Sequence, residues 1–210
     1  MNLNYSKGYR LFELDMSMTS DNDLVLLHDW GKSLKLYFDS SVLTGRMTRA
    51  EFMAARTRSG WRQLDLDGLE HWMEQYPDAL IVTDIKDDNI KGLTMISERL
   101  PGLTNRFLPQ IYSPEEYEAV RTLGFEHIIF TLYRCSLPNR DILAFAEKAP
   151  LYGLTMPVPR ALKQDFAQVL SHQGQRVFVH TVNSAEKMRS LEKKGVFGFY
   201  TDHVAPASQP

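Results

Sequence analysis

Cysteine is almost missing from this sequence: Cys135 is the only one in 210 residues. An internal disulfide and a metal site built from several cysteines are therefore excluded, and Cys135 itself reads as a small, partly buried hydrophobe. Long apolar runs are missing too. None approaches the ~20 residues a membrane helix needs, and the opening MNLNYSKGYR holds no apolar stretch fit for a secretory signal. Charge is balanced as well: 24 Lys and Arg against 26 Asp and Glu leave a formal net charge of -2. That balance gives no electrostatic footprint for nucleic acid or an anionic membrane. Internal repeats, low-complexity tracts and charge blocks are likewise missing. The expectation is a cytoplasmic protein with a small-molecule partner and a single domain spanning 1–204, followed by a flexible tail over 205–210.

What is present is an alternation. Short apolar runs rich in branched or aromatic residues recur at Leu11–Met16, Leu80–Ile85, Phe107–Tyr112, His127–Leu132, Tyr152–Met156, Val177–Thr181 and Phe197–Thr201. Each has strand length and is closed by polar or turn residues. Helix signals lie between them. Ser113-Pro114-Glu115-Glu116 reads as a capping box with proline in the first turn, and Gly124 as the stop. Asn183 to Glu186 repeats the box, with Gly195 as the stop, and Leu64–Tyr76 and Arg160–His172 carry helical spacing. Such alternation implies parallel strands covered by helices. It allows either a doubly wound open sheet or a barrel, although no glycine-rich dinucleotide turn follows the first strand.

Chemistry-bearing residues gather at the strand ends. In Glu13-Leu14-Asp15 the period of two sends both acids to one face. Two carboxylates turned into an apolar sheet repel each other and lose solvation, and a hard divalent cation relieves both problems. An isolated E-x-D is usually just a strand with an exposed acid, but here Leu24 to Asp29 follows at once and ends in His28-Asp29. That brings an imidazole able to titrate near neutral pH to a strand end. Asp84 and Lys86 lie two apart at the end of Leu80–Ile85. They suit a third carboxylate and a point charge for phosphate, or else a simple salt bridge. Gln110, His180 and Asn183 occupy comparable positions, and each taken singly reads as a structural polar group before a ligand contact.

Together the stretches GYRLFELDMSMTSDNDLVLLHDW, IVTDIKD, FLPQIY, FVHTVNSAEKMRSLEKKG and VFGFYTD resemble the glycerophosphodiester phosphodiesterases. The resemblance implies a TIM-type (β/α)8 barrel with its site at the carboxyl ends of the strands. It implies calcium or magnesium held by Glu13, Asp15 and Asp84, with Asp84 standing where the family usually has glutamate. His28 would be one of two catalytic histidines, and Lys86 would lie near the phosphate. Gln110 and His180 would meet substrate, His180 replacing a tryptophan common there. Thr201-Asp202 would belong to the rim. The implied reaction is hydrolysis of a glycerophosphodiester to glycerol 3-phosphate and an alcohol. The family's first strand, with its histidine, has no counterpart before Asn2–Gly8, so the expected barrel lacks that strand and part of the first helix, through an incomplete reading frame. Because a barrel closes on itself, His203, following Thr201-Asp202 at the end of the last strand, would border that gap, though an exposed rim position is the simpler reading. A non-catalytic binding barrel, or a phosphodiesterase for another substrate, are the alternatives.

Overall fold

The structure, a computed structural model, describes residues 1–39 and 45–206; residues 207–210 of the expected tail lie outside the described residues. The chain forms two compact units, one of Leu11–Phe107 and one of Met1–Arg10 with the chain from Leu108 onward. A short helix α1, Asn2–Ser6, opens the chain.

The Leu11–Phe107 unit is built on strand β1, Leu11–Met18. It pairs antiparallel with the two-residue strand β2, Leu24–Val25, and parallel with β3, Leu80–Ile85. Alternation along β1 buries Phe12 and Met16 on one face, where Phe12 meets Trp72 edge-on at 5.2 Å. Trp72 lies on α4, Leu66–Gln75, whose buried Leu66, Leu69, Trp72 and Met73 recur at helical spacing. The expected helix over Leu64–Tyr76 is thus present, starting later because Asp65 caps it by accepting the Gly68 amide at 2.8 Å.

Between β2 and α4 the chain leaves the strand–helix alternation. Helices α2, Lys32–Tyr37, and α3, Arg49–Ala54, are too short to show a helical period in the sequence. They fold around a small core of Val25, Leu27, Leu34, Phe38, Met47 and Phe52, with Trp30 packed against it. Thr48 and Glu51 form a reciprocal capping box that starts α3. After β3 comes α5, Asn89–Arg99, capped by Asp88. It crosses so near β3 that a Cβ at Gly92 would stand 2.7 Å from Ile85. A 3-10 turn over Pro101–Arg106 closes the unit, and Arg106 donates to the carbonyls of Met73, Tyr76 and Ala79.

The second unit carries β4 (Phe107–Ile111), β5 (Ile129–Thr131), β6 (Gly153–Pro157), β7 (Val177–His180) and β8 (Gly198–Phe199), each parallel to the next. The strand positions agree with the apolar runs; several helix starts do not. Helix α6 is Glu116–Thr122 without a side-chain cap. The capping box expected at Ser113 does not form, because the Glu116 carboxylate accepts the Tyr112 amide at 3.1 Å. Helix α7 is Asn139–Lys148. The single helix expected over Arg160–His172 is instead α8, Val158–Leu162, and α9, Phe166–His172. Left-handed backbone at Gln164 (φ 56°) and Asp165 (φ 52°) separates them. Helix α10, Ala185–Glu192, is capped by Ser184 rather than by Asn183. Its stop is Gly195 (φ 86°), where a Cβ would stand 2.8 Å from the Gln168 backbone.

Candidate active site

The parallel register of β1 and β3 sets Asp15 beside Asp84. Two residues upstream on the same face of β1 is Glu13. One carboxylate oxygen from each of Glu13, Asp15 and Asp84 lies within 4.8 Å of the others. Metal–oxygen bonds of 2.3–2.6 Å about calcium keep ligand oxygens within roughly 5 Å of one another, so the cluster fits a hard cation's all-oxygen shell. The shorter Asp84 therefore reaches the other two. The sequence argument for two acids forced into an apolar sheet needs correction: Glu13 is exposed, Asp15 half-buried, and only Asp84 is buried.

Of the two arrangements the sequence allowed for Lys86, the structure shows the salt bridge. The lysine ammonium lies 2.6 Å from Asp15 Oδ1 and 2.7 Å from Asp84 Oδ2. Burial works to lower the lysine pKa, yet the hydrogen bonds to Asp15 and Asp84 outweigh it and hold the pKa above its ordinary value. The site thus contains its own cation.

His28 lies past the end of β2, in a loop tied to β1 where the Ser17 hydroxyl donates to the Leu27 carbonyl at 2.8 Å. The ring is 59% exposed and its Nδ1 is 2.9 Å from Asp29 Oδ2. Asp29 also accepts the Gly31 and Lys32 amides at 2.8 and 2.5 Å, anchoring the entry to α2. An acceptor on Nδ1 favours the tautomer whose Nε2 is the acceptor and turns that atom away from Asp29. The carboxyl of Asp29 is held well below the usual carboxylate range, first by the His28 hydrogen bond, against burial, with Ser33, Gly31 and Lys32 adding. A depressed folded pKa gives stability that is present above the unfolded value of 3.8 and lost as pH falls below it. Asp29→Asn keeps an acceptor for the helix entry but not the charge. It should therefore lower the melting temperature at pH 7 by a few degrees, and the gap should narrow below about pH 4. Thermal melts showing the same gap at pH 7 and pH 3 would contradict this.

Asp15 and His28 line one cavity of about 260 Å³, together with residues of the β2–α4 segment, among them Tyr37, Trp61 and Arg62. Sequence reasoning passed over these three. The available signal was the density of aromatic and cationic side chains in KLYF and GWR, in a stretch with no strand or helix period. The acidic turn after β1 is an anchor for this segment. Arg49 on α3 contacts Asp23, Asp65 and Asp67, and Arg99 contacts Asp23 and Asp67.

In the second unit, buried Gln110 sits on β4 and half-buried His180 ends β7, its Nδ1 3.1 Å from the Thr155 hydroxyl. Tyr133 and Tyr200 flank that imidazole edge-on, each with its centroid 6.0 Å away. Asn183 accepts from the Thr201 hydroxyl and the Asp202 amide and donates to Asp202, tying the chain after β7 to the Thr201-Asp202 pair. His203 is exposed.

Residues 1–100 match the glycerophosphoryl diester phosphodiesterase family. No curated protein matches the sequence. Solved structures extend the likeness along the chain. One is a putative glycerophosphoryl diester phosphodiesterase from Silicibacter pomeroyi, with TM-score 0.77 and 17% identity, covering 96% of this chain and 83% of that one. A putative glycerophosphodiester phosphodiesterase from Galdieria sulphuraria gives TM-score 0.75 at 15% identity, with coverage of 95% and 84%. An Oleispira antarctica phosphodiesterase, solved with the product sn-glycerol-3-phosphate, gives 0.64 at 14%, covering 95% and 83%. At these identities the likeness is one of fold. What the chain shares with these structures is the TIM-barrel type of fold. Among its described residues no helix is long and apolar enough to cross a membrane.

Proposed function

We propose that the chain hydrolyses glycerophosphodiesters to glycerol 3-phosphate and an alcohol with the help of a divalent metal, calcium or magnesium. The observation that carries this reading is the Glu13–Asp15–Asp84 cluster, one member of which shares a cavity with His28. Glu13, Asp15 and Asp84 would hold the metal, which when bound supplies positive charge to the phosphoryl oxygens. His28, oriented through Nδ1 by Asp29, would take up a proton at Nε2 and, as the imidazolium, pass it to the departing alcohol oxygen. Lys86 would exchange part of its pairing with Asp15 and Asp84 for the phosphate. Gln110 and His180 remain candidate substrate contacts on the resemblance alone. The small-molecule partner also agrees with the product bound to the Oleispira antarctica protein.

The test is release of glycerol 3-phosphate from glycerophosphocholine and glycerophosphoethanolamine, measured with added magnesium or calcium and again with chelator. Turnover that needs the metal and falls ~10²–10⁴-fold in His28→Ala is expected, the range of a lost acid–base group. No release from any glycerophosphodiester would overturn the proposal. The position of Lys86 favours a second reading, a binding barrel in which the lysine replaces the metal as counter-charge to Asp15 and Asp84. It requires phosphodiester binding without turnover and without response to the metal.

A further inference from the structure

The cavity that Asp15 and His28 share is walled by Leu26, Leu27, Phe38 and Phe52 and rimmed by Tyr37 and Trp61. On the hydrolytic reading given above, the group beside His28 is the one whose oxygen takes the proton, namely the alcohol. We propose that this cavity receives that alcohol and selects a neutral, hydrocarbon-bearing one over a small cationic one such as choline.

The side chains of Leu26, Leu27, Phe38 and Phe52 offer a polar occupant no partner. Of the polar lining, the Thr57 hydroxyl already donates to the Trp61 carbonyl and the Gln63 amide to the Phe52 and Ala55 carbonyls. An alkyl or aryl group, by contrast, would cover apolar surface there. Charge points the same way. Arg62 brings a cationic residue to the lining, and the one acidic residue on it, Asp15, is already matched by Lys86 at 2.6 Å. A quaternary ammonium would thus meet a like charge without an unmatched opposite one. Aromatic rings can cradle a cation, but here the tilted Tyr37–Trp61 pair, centroids 6.0 Å apart, has cationic Arg62 as a neighbour in sequence and lining.

The rim is also built in advance. Phe38 and Thr57 form an antiparallel bridge, and the Arg58 amide donates to the Tyr37 carbonyl at 2.8 Å. The Arg58 side chain donates to the Phe38 carbonyl at 2.8 Å, and the Thr57 hydroxyl to the Trp61 carbonyl at 2.7 Å. These bonds hold the backbone that carries the two rings, and the rings themselves stay open: Tyr37 is 38% and Trp61 64% exposed. With that backbone already set, less ordering is left for an occupant to impose.

The experiment compares glycerophosphodiesters of ethanol, butanol and hexanol, whose leaving groups are chemically matched, with glycerophosphocholine. Both kcat/KM and the calorimetric affinity of each are read on the same metal-supplemented protein. In an apolar pocket even one methylene can be worth ~10–200-fold, so a rise of ~10-fold or more in both quantities from ethyl to hexyl is expected. The hexyl-to-ethyl ratio should fall toward one in Trp61→Ala, whose exposed indole can be removed without opening the core. Equal affinities along the alkyl series, a preference for choline, or a ratio unmoved in both Trp61→Ala and Tyr37→Ala would each overturn the inference. Absence of turnover with the affinity series intact would sink only the hydrolytic reading.

Discussion

Asp15→Asn should lower the affinity for calcium or magnesium by ~100-fold or more and reduce glycerol 3-phosphate release to background. Asp15 is the middle member of the cluster: it lies beside Asp84 in the register of β1 and β3 and two residues from Glu13 on one face. Loss of a partner that merely orients a ligand typically costs 10–100-fold, and removing a charged ligand itself should exceed that. Asparagine keeps the shape and one acceptor oxygen, so the change isolates charge. Calorimetric titration with each metal, alongside the coupled assay, checks the prediction. Affinity within ~3-fold of the unaltered protein would remove Asp15 from any metal site. Lys86→Gln is the informative contrast. Because the ammonium of Lys86 lies 2.6 and 2.7 Å from the same two aspartates, it competes with a cation. Its removal should tighten the metal while raising KM if the lysine also serves the phosphate.

How far the sequence showed this arrangement depends on the distance over which each part is decided. The acids of the cluster were legible because period-two alternation and a parallel register are local rules. Glu13 and Asp15 share a face for one reason, and Asp84 joins them because β3 pairs directly with β1. Their burial was not legible, since it depends on what lies in front of the strand ends, and Glu13 proves exposed. Helix starts failed wherever a side chain had two partners to choose from. Glu116 took the Tyr112 amide instead of closing a box with Ser113, and Asn183 took Thr201 and Asp202, leaving Ser184 to cap α10. Left-handed backbone at Gln164 and Asp165 breaks what the apolar spacing of Arg160–His172 described as one helix.

The β2–α4 segment was the least legible part, for a physical reason that also explains its chemistry. Its helices are too short for an amphipathic period, so its order comes from a small core and from ion pairs to distant acids. The turn Ser20-Asp21-Asn22-Asp23 reads simply as a turn, yet Asp23 meets both Arg49 and Arg99, and Asp21 accepts the Arg49 amide at 2.9 Å. These partners lie far along the chain and carry no sequence pattern. The same segment supplies His28, Tyr37 and Trp61 to the cavity. A stretch that reads as connection is therefore where substrate preference is most open to change, as is usual for loops set on a rigid strand scaffold.

That dependence makes Phe52→Ala the substitution with the largest expected effect on stability. Phe52 is 1% exposed on α3. Its ring meets Trp30 edge-on at 5.7 Å and Phe38 at 5.5 Å, so it joins α3 to both ends of α2. Truncating a buried phenylalanine typically costs ~3–5 kcal/mol, part transfer and part cavity. For a chain of this length that corresponds to about 10 °C in melting temperature. A small core has few other residues to close over the gap, which places the cost near the upper end. Phe52 also walls the cavity beside His28, so turnover should fall even at temperatures where the variant remains folded. Phe52→Leu refills most of the volume and should recover more than half of the lost stability. Limited proteolysis would separate local from global loss, because local loosening exposes new cleavage sites between Trp30 and Gln63 before the rest of the chain melts. A melting temperature lowered by less than about 3 °C, with the proteolytic pattern unchanged, would show that this core does not hold the segment in place.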